Sequence, residues 1–299
     1  MFGRWRDAFW GDAFWRRLET IFSASSHTNR DGQGGQERRL SQIPPDPTTL
    51  PDRHGLKVFI GTWNMNGREP PVALSPFLPN NDEGTSPPKD AAQPHLLPMS
   101  SGPPYHLLVI GTQECLSTSA NAVFFSPEYE AWEHRLSDWF GSEYFLVGGR
   151  GMGALHLAVF VWHRCWSWIR AVESAEVATG IGGMIGNKGA VGISVLFGET
   201  SLLFINSHLA GPLTAAALPP IAHAERISQR NQDYARIEKE MPLRSYELKD
   251  ESKDESGPWR VSDQFDYTFW FGDLNYRTAA TRAQADAWLS AGHYKEADD

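Results

Sequence analysis

The chain has few cysteines and no long apolar run. Only 2 of its 299 residues are cysteine, which is too few for a disulfide framework and favours a reducing compartment. No apolar run reaches the roughly 20 residues that a membrane-spanning helix needs, and the first residues lack the apolar core of a secretory signal. These absences argue against a disulfide-stapled secreted domain and an integral membrane protein, so we expect a cytoplasmic protein.

Basic residues are also scarce. The chain has 27 Lys and Arg against 36 Asp and Glu, a formal net charge of −9, and no segment is rich in Lys and Arg. Proteins that bind duplex nucleic acid neutralise its phosphates with many basic side chains. We therefore predict that nucleic acid is not a partner, and that any phosphate contact is made by a few cations within one site.

An aromatic stretch at 267–271, Tyr-Thr-Phe-Trp-Phe, predicts a buried strand that ends at Gly272. Asp273, Asn275 and Arg277 follow at alternate positions, and alternate side chains share one face of an extended chain. A carboxylate, an amide and a guanidinium suit an anionic substrate, because Arg binds phosphate while Asp and Asn can orient a water and take its proton. The alternative is a strand that ends in an ordinary polar turn.

Three further stretches have the same form, an apolar run followed by metal-ligand or acid–base residue types. They are Gly-Thr-Trp-Asn-Met-Asn-Gly at 61–67, Gly-Thr-Gln-Glu at 111–114 and Asn-Ser-His-Leu-Ala at 206–210. A Gly-rich loop at 179–189 contains Lys188, but its spacing is not that of a P-loop. Four such strand ends predict one active site at the edge of a sheet sandwich.

Composition divides the chain into segments. Residues 1–22 carry aromatic and aliphatic side chains near helical spacing with interleaved Arg, which predicts an amphipathic helix at a membrane interface or docked on the domain. Residues 23–54 are rich in Ser, Gly, Gln and Pro and predict a disordered linker. The domain follows at 55–299, and the Pro-rich stretch at 69–104 predicts a flexible insertion.

Hydrophobic periodicity predicts the regular elements of the domain. The predicted strands are 56–63, 106–112, 144–147, 155–162, 190–197, 202–207 and 267–271, and the predicted helices are 130–140, 222–241 and 281–290. Strands 190–197 and 202–207 are expected to form a hairpin around Gly198 and Glu199.

Taken in order, these motifs resemble the catalytic domain of the inositol polyphosphate 5-phosphatases, in the endonuclease/exonuclease/phosphatase superfamily. The matching stretches are 61–67, 111–114, 179–189, 206–210, Arg-Asn-Gln-Asp-Tyr at 230–234 and Trp-Phe-Gly-Asp-Leu-Asn-Tyr-Arg at 270–277. The resemblance implies an α/β fold, a four-layer sandwich of two mixed β-sheets flanked by helices.

The resemblance also implies a chemistry, hydrolysis of the 5-phosphate of an inositol ring. Asn64 and Glu114 match the family's Mg²⁺ site, and a carboxylate with amide oxygens suits this hard cation. Asp273 would activate or orient the attacking water, and Asn275 would hold water and phosphate in line. His208 would donate to a phosphate oxygen as charge develops. Lys188 and Arg277, in turn, would contact substrate phosphates.

Phe124 and Phe125 lie in Ala-Val-Phe-Phe at 122–125, which resembles a family loop that inserts apolar side chains into the bilayer. The implied partners are phosphoinositide lipids or soluble inositol phosphates at a membrane surface, with the enzyme peripheral. The alternative is that both phenylalanines are core residues of a short strand.

The chain departs from the family at its C-terminal end. The Trp-Cys-Asp-Arg and Ser-Asp-His segments of the family are absent, so we expect the last strands of one sheet to be missing and activity to be impaired. Two alternatives to the enzyme remain: a non-catalytic phosphoinositide-binding fragment, and a nuclease of the same superfamily. Acidic charge and the Gly-rich loop argue against the nuclease.

Overall fold

Two β-sheets form the centre of the molecule in the computed structural model. It describes residues 38–39, 55–68, 74–75, 77–78, 105–115, 127–180, 188–211, 220–246, 259–276 and 281–292. The predicted amphipathic segment at 1–22 lies outside these residues. So do nearly all of the predicted linker at 23–54 and most of the predicted insertion at 69–104.

The first sheet has four strands in the order β2-β3-β5-β4. They are β2 (Val58–Asn64), β3 (Leu107–Gln113), β4 (Tyr144–Met152) and β5 (Leu155–Trp162). β2 and β3 are parallel, and β5 is antiparallel to both β3 and β4. β3 and β5 are buried along their whole length, as expected for the central strands of a sheet covered on both faces.

The second sheet has five strands in the order β1-β6-β7-β8-β9. They are β1 (Arg38–Arg39), β6 (Ile169–Ala178), β7 (Gly189–Phe197), β8 (Thr200–His208) and β9 (Tyr267–Asp273). β7 and β8 form the predicted hairpin. β8 and β9 are parallel, so their C-terminal ends meet at one edge of the sheet.

Helices cover the outer face of each sheet, and this gives the four predicted layers. Helix α1 (Pro127–Phe140) places Trp132, Leu136 and Phe140 in the core of the first sheet. Helix α2 (Pro220–Glu240) places Ile237 against the second sheet, where Leu203 and Ile205 are buried. The four-layer α/β sandwich with two mixed sheets is confirmed. Helix α3 (Arg282–Ala291) begins at a capping box formed by Thr281 and Gln284.

β6 is the long strand that sequence reasoning missed. Its register against β7 shifts between Ile169 and Ala171, and Ile169 and Val172, three positions apart, lie in the same core cluster. Ala175 and Val177 lie in the other core cluster, with Ile237 of α2. Both faces therefore carry apolar residues, and the period-two pattern from which a strand is inferred is broken. Arg38–Arg39, inside the predicted linker, pairs with β6.

Gly272 continues β9 instead of ending it. Its φ is +122°, and a Cβ at this position would lie 2.1 Å from the carbonyl oxygen of Ser207. The absence of a side chain therefore permits β9 to approach β8 closely enough for the parallel pairing to reach Asp273. The prediction that this glycine breaks the strand was wrong.

The close approach at Gly272 predicts a large stability cost for Gly272→Ala. The matched control is Gly141→Ala, because Gly141 also has a positive φ, +61°, but has nothing within 4 Å of a Cβ. We expect Gly141→Ala to cost about 1–2 kcal/mol of left-handed backbone strain and Gly272→Ala to cost about 3 kcal/mol or more. Urea unfolding measures both, and equal losses would contradict the steric argument.

A buried histidine makes the stability of this fold depend on pH. His106 is almost fully buried, and its Nδ1 accepts a hydrogen bond from the backbone N–H of Lys57 at 2.8 Å. Burial, and then the charge of Lys57, lower the pKa of His106 to about 4. The imidazole is therefore neutral in the folded protein at neutral pH.

The unfolded chain takes up a proton at this histidine below its ordinary pKa of about 6.5, while the folded chain does not until about pH 4. The free energy of unfolding should therefore fall as the pH is lowered from about 6.5 to about 4, and this residue should contribute a loss on the order of 3 kcal/mol. His106→Asn keeps an acceptor for Lys57 and should reduce the fall. His134→Asn, at an exposed position on α1, is the control, and unchanged pH dependence in His106→Asn would refute the assignment.

Candidate active site

The ends of four strands meet at one edge of the sandwich. In the first sheet Asn64, the last residue of β2, is in register with Gln113, the last residue of β3, and Glu114 follows. In the second sheet His208 ends β8 and is in register with Asp273, which ends β9. Parallel pairing thus brings the two polar strand ends of each sheet side by side, as the motifs predicted.

The side chain of Asn64 connects the two sheets. Its Nδ2 donates to Oε1 of Glu114 at 3.2 Å and to Oδ2 of Asp273 at 2.9 Å, and its Oδ1 accepts from the backbone N–H of Asn66 at 2.9 Å. Asn64 and Asp273 are 209 positions apart. Two carboxylates therefore converge on one point in front of the strand ends, where an amide N–H group lies between them.

His208 lies beneath this pair of carboxylates. It is 2% exposed, and its Nε2 lies 3.4 Å from Oδ2 of Asp273 and 3.8 Å from Oε1 of Glu114. Lys188 Nζ contacts the same nitrogen. Burial and then the positive charge of Lys188 lower the pKa of His208 to about 4, although both carboxylates act in the opposite direction. His208 is therefore neutral at neutral pH.

Solvent reaches the carboxylates but not the imidazole. The side chains of Glu114 and Asp273 are 39% and 28% exposed, while His208 is buried beneath them. A ligand entering from solvent would meet the carboxylates and Lys188 first. Together they offer both signs of charge within a few ångströms, which suits a phosphate that arrives with a cation.

Three residues at this edge have left-handed backbone conformations, namely Asn66 (φ 53°), Glu114 (φ 51°) and Asn275 (φ 58°). Within the described part of the chain, these are the only residues other than glycine with positive φ. Asn tolerates this region, whereas Glu there costs about 1 kcal/mol or more. The backbone amide of Gly67 donates to the carbonyl oxygen of Glu114 at 2.9 Å and holds this turn in place.

Asn275 does not continue an extended chain from Asp273. Its left-handed φ turns the backbone, so that its own N–H donates to Oδ1 of Asp273 at 3.1 Å. Its side chain is buried, and Nδ2 donates to the carbonyl oxygen of Leu209 at 3.0 Å. Asn275 therefore supports Asp273 and the segment after His208, and the extended-chain geometry predicted for 273–277 was wrong at this residue.

Helix α2 holds the same segment from the other side. Asp233 accepts from the backbone N–H of Ala210 at 3.0 Å, and Arg230 donates to the carbonyl oxygen of Ala210 at 3.3 Å. Both belong to the Arg-Asn-Gln-Asp-Tyr motif, for which the sequence suggested no role. Both are almost fully buried, and buried charged side chains need partners. Burial is not visible in the sequence, so no sequence signal identified this role.

The residue types at this edge fit a magnesium ion. In the described part of the chain no three His, Cys, Asp or Glu side chains are arranged to hold a metal. Mg²⁺, however, is commonly bound by one or two carboxylates with water and other oxygens. Glu114 supplies such a carboxylate, and Asn64 supplies an amide oxygen once its amide is rotated by 180°. The rotation exchanges two groups of nearly identical shape and gives up the hydrogen bond from the backbone N–H of Asn66.

The structure brings together Asn64, Glu114, Lys188, His208 and Asp273, all of which were predicted to belong to one site. Asn275 adjoins them through Asp273. Three other predicted site residues, Arg277, Phe124 and Phe125, lie outside the described residues. Their roles stay predictions.

A family model described as Endonuclease/Exonuclease/phosphatase family 2 matches residues 61–297. The chain belongs to this family. Human phosphatidylinositol polyphosphate 5-phosphatase type IV is 31% identical over 244 residues, which cover 81% of this chain and 32% of that protein. Human phosphatidylinositol 3,4,5-trisphosphate 5-phosphatase 1 is 28% identical over 238 residues, 80% of this chain and 17% of that protein.

The predicted resemblance to inositol polyphosphate 5-phosphatases is confirmed by these relatives, although the chain spans only about a third or less of their length. A solved structure with the family fold is the inositol polyphosphate 5-phosphatase domain of SPsynaptojanin, in complex with inositol (1,4)-bisphosphate and a calcium ion. It aligns with a TM-score of 0.52 and 20% identity, covering 96% of this chain and 66% of that one. This likeness shows the shared fold.

Within the described residues of this family member, no helix is long and apolar enough to cross a bilayer.

Proposed function

We propose that this chain hydrolyses the 5-phosphate of phosphoinositides or inositol polyphosphates. The observation that carries the proposal is the cross-sheet cluster, in which Asn64 and Glu114 from one sheet meet His208 and Asp273 from the other. The substrate class comes from the relatives, whose names describe 5-phosphatases of phosphatidylinositol phosphates.

Asn64 and Glu114 are the residues that we propose to hold Mg²⁺. A bound magnesium ion would supply Lewis-acid polarisation of the phosphoryl oxygens and neutralise part of their charge. The turn that carries Glu114 is held by the backbone amide of Gly67. The backbone thus restrains the position of Glu114 before a ligand arrives, which favours binding by reducing the ordering that binding requires.

Asp273 is the proposed group that orients the attacking water and accepts its proton. It is partly exposed, and its Oδ1 is fixed by the backbone N–H of Asn275. The side chain of Asn275 is already committed, because its Nδ2 donates to the carbonyl oxygen of Leu209. We therefore assign it the role of positioning Asp273, in place of the direct contact with water that the resemblance implied.

His208 and Lys188 are the proposed donors to the phosphate. Their contact means that a phosphate bound in front of one is within reach of the other. Nε2 of the neutral imidazole can donate one hydrogen bond when it carries the ring proton and Lys188 contacts the phosphate instead of this nitrogen. The ammonium group adds a full positive charge. Donors held in place before the reaction stabilise the charge that develops in the transition state. Arg277 is proposed as a further phosphate contact from its position in the motif.

The proposal predicts that Asp273→Asn abolishes Mg²⁺-dependent phosphate release from phosphatidylinositol 4,5-bisphosphate liposomes, lowering it at least a hundredfold. The change removes only the charge and the proton acceptor, so the fold should persist. Asp138→Asn, at an exposed position on α1, is the matched control and should leave the rate unchanged. Liposome binding without turnover in the unaltered chain would instead support a non-catalytic binding fragment.

We further propose that Phe124 and Phe125 contact the membrane beside the site, so that the enzyme is peripheral. The support is the motif at 122–125 and the lipid substrates named for the relatives. Phe124→Asp with Phe125→Asp should lower the rate on liposomes at least tenfold and leave the rate on soluble inositol phosphates nearly unchanged, because apolar insertion affects only the lipid-bound substrate. Equal losses on both substrates would indicate a role in folding.

A further inference from the structure

A buried amide in the middle of the sandwich crosses from the second sheet to the first. Asn206 in β8 has no exposed surface. Its Nδ2 donates to the carbonyl oxygens of Thr112 and His156 at 3.1 and 2.9 Å, and its Oδ1 accepts from Nε2 of Gln113 at 2.6 Å. All three partners belong to β3 or β5 of the other sheet. One side chain therefore makes three hydrogen bonds between the two sheets.

Gln113 extends the connection to β2, a third strand of the first sheet. It is 1% exposed, and its Nε2 also donates to Oγ1 of Thr62 in β2 at 3.1 Å. Gln113 immediately precedes Glu114, while Thr62 and Asn206 lie two residues before Asn64 and His208 respectively. We call Thr62, Gln113 and Asn206 the polar link. Its members thus precede three residues of the candidate active site by one or two positions in the sequence.

Two glycines make room for the link, one in each sheet. A Cβ on Gly111 in β3 would lie 2.8 Å from Cγ of Asn206 and 2.6 Å from the ring of Phe271. A Cβ on Gly272 in β9 would lie 2.8 Å from Oδ1 of Asn206. The absence of a side chain at Gly111 therefore permits the close approach of the two sheets at this point, while Gly272 leaves room within its own sheet for the amide of Asn206.

We propose that Gln113 and Asn206 are positioning residues, which set the spacing and register of the two sheets so that Asn64 and Glu114 meet His208 and Asp273. The inference deepens the proposed function and rests on it. Apolar contacts between sheets are non-directional, whereas hydrogen bonds constrain both distance and angle. Replacing the two amides by apolar residues would remove these donors from the carbonyl oxygens of Thr112 and His156 and cost stability, so the geometric role has to be measured separately from stability.

The first test measures the contact between the two sheets at the site and does not depend on catalytic activity. The hydrogen bond from Asn64 to Asp273, 2.9 Å across the sheets, is quantified by a double-mutant cycle with Asn64→Ala and Asp273→Ala in urea unfolding. The cycle is repeated in a chain carrying Gln113→Leu and Asn206→Leu. We expect the coupling between Asn64 and Asp273 to fall by at least half. Equal coupling in both backgrounds would overturn the proposal.

Gln113→Leu alone serves if the paired leucine variant fails to fold. It removes the hydrogen bonds to Asn206 and Thr62 but leaves Asn206 with its donors to Thr112 and His156. We expect it to reduce the Asn64–Asp273 coupling less than the paired leucine variant does. A coupling equal to that of the unaltered chain would count against the proposal.

The second test separates positioning from stability by kinetics on phosphoinositide liposomes. Ser194→Ala removes another buried polar contact, the 2.6 Å hydrogen bond to Tyr246 in the second sheet, and controls for loss of stability alone. We expect the Gln113 and Asn206 variants to lose at least tenfold in kcat with little change in KM, and Ser194→Ala to keep its kcat. Unchanged kcat in the paired leucine variant would overturn the positioning role while leaving the proposed function intact.

If the unaltered chain shows no turnover, the proposed function fails, and the coupling experiment still decides whether the amide pair sets the geometry.

Discussion

The candidate active site depends on buried hydrogen bonds that join the two sheets across a core made largely of apolar side chains. Asn206 and Gln113 supply them from buried positions, and Gly111 permits the close approach of the two sheets. The site has half of its residues on each sheet, so a sliding or opening of the sandwich would separate Asn64 from Asp273. Buried polar groups are costly unless they are fully paired. Those of Asn206 and Gln113 lie next to the candidate site, where the distance between the sheets decides whether the site forms.

The distance between the sheets also decides which charged groups meet at the strand ends. Two carboxylates, Glu114 and Asp273, face one point, and the amide of Asn64 lies between them. Lys188 and a buried, neutral His208 complete the cluster. A cation in place of the amide hydrogens would relieve the repulsion between the carboxylates, and the phosphate of a substrate would complement both the cation and Lys188. The arrangement thus suits the proposed metal-dependent phosphatase activity, which needs only a few local cations, in agreement with the net charge of −9.

Most of the regular elements could be predicted from the sequence, because burial of alternate or helically spaced side chains is a local property. The hairpin of β7 and β8 and helix α1 were found within a few residues of their bounds. β6 was missed because its register shifts near Ile169 and hides the alternation. Gly272 was misread, because a glycine that ends a strand and one that permits a close approach look the same in a sequence.

The sequence by itself determined which residue types stand at the strand ends, and, through the order of its motifs, the family. Tertiary structure decided how these residues meet. Asn64 and Asp273 are 209 positions apart, and only the packing of one sheet on the other brings them into contact. The turn at Asn275 and the burial of Asn206 were likewise decided there. Local pattern reports which side of a strand is buried, but a hydrogen bond between sheets depends on the spacing and register of both.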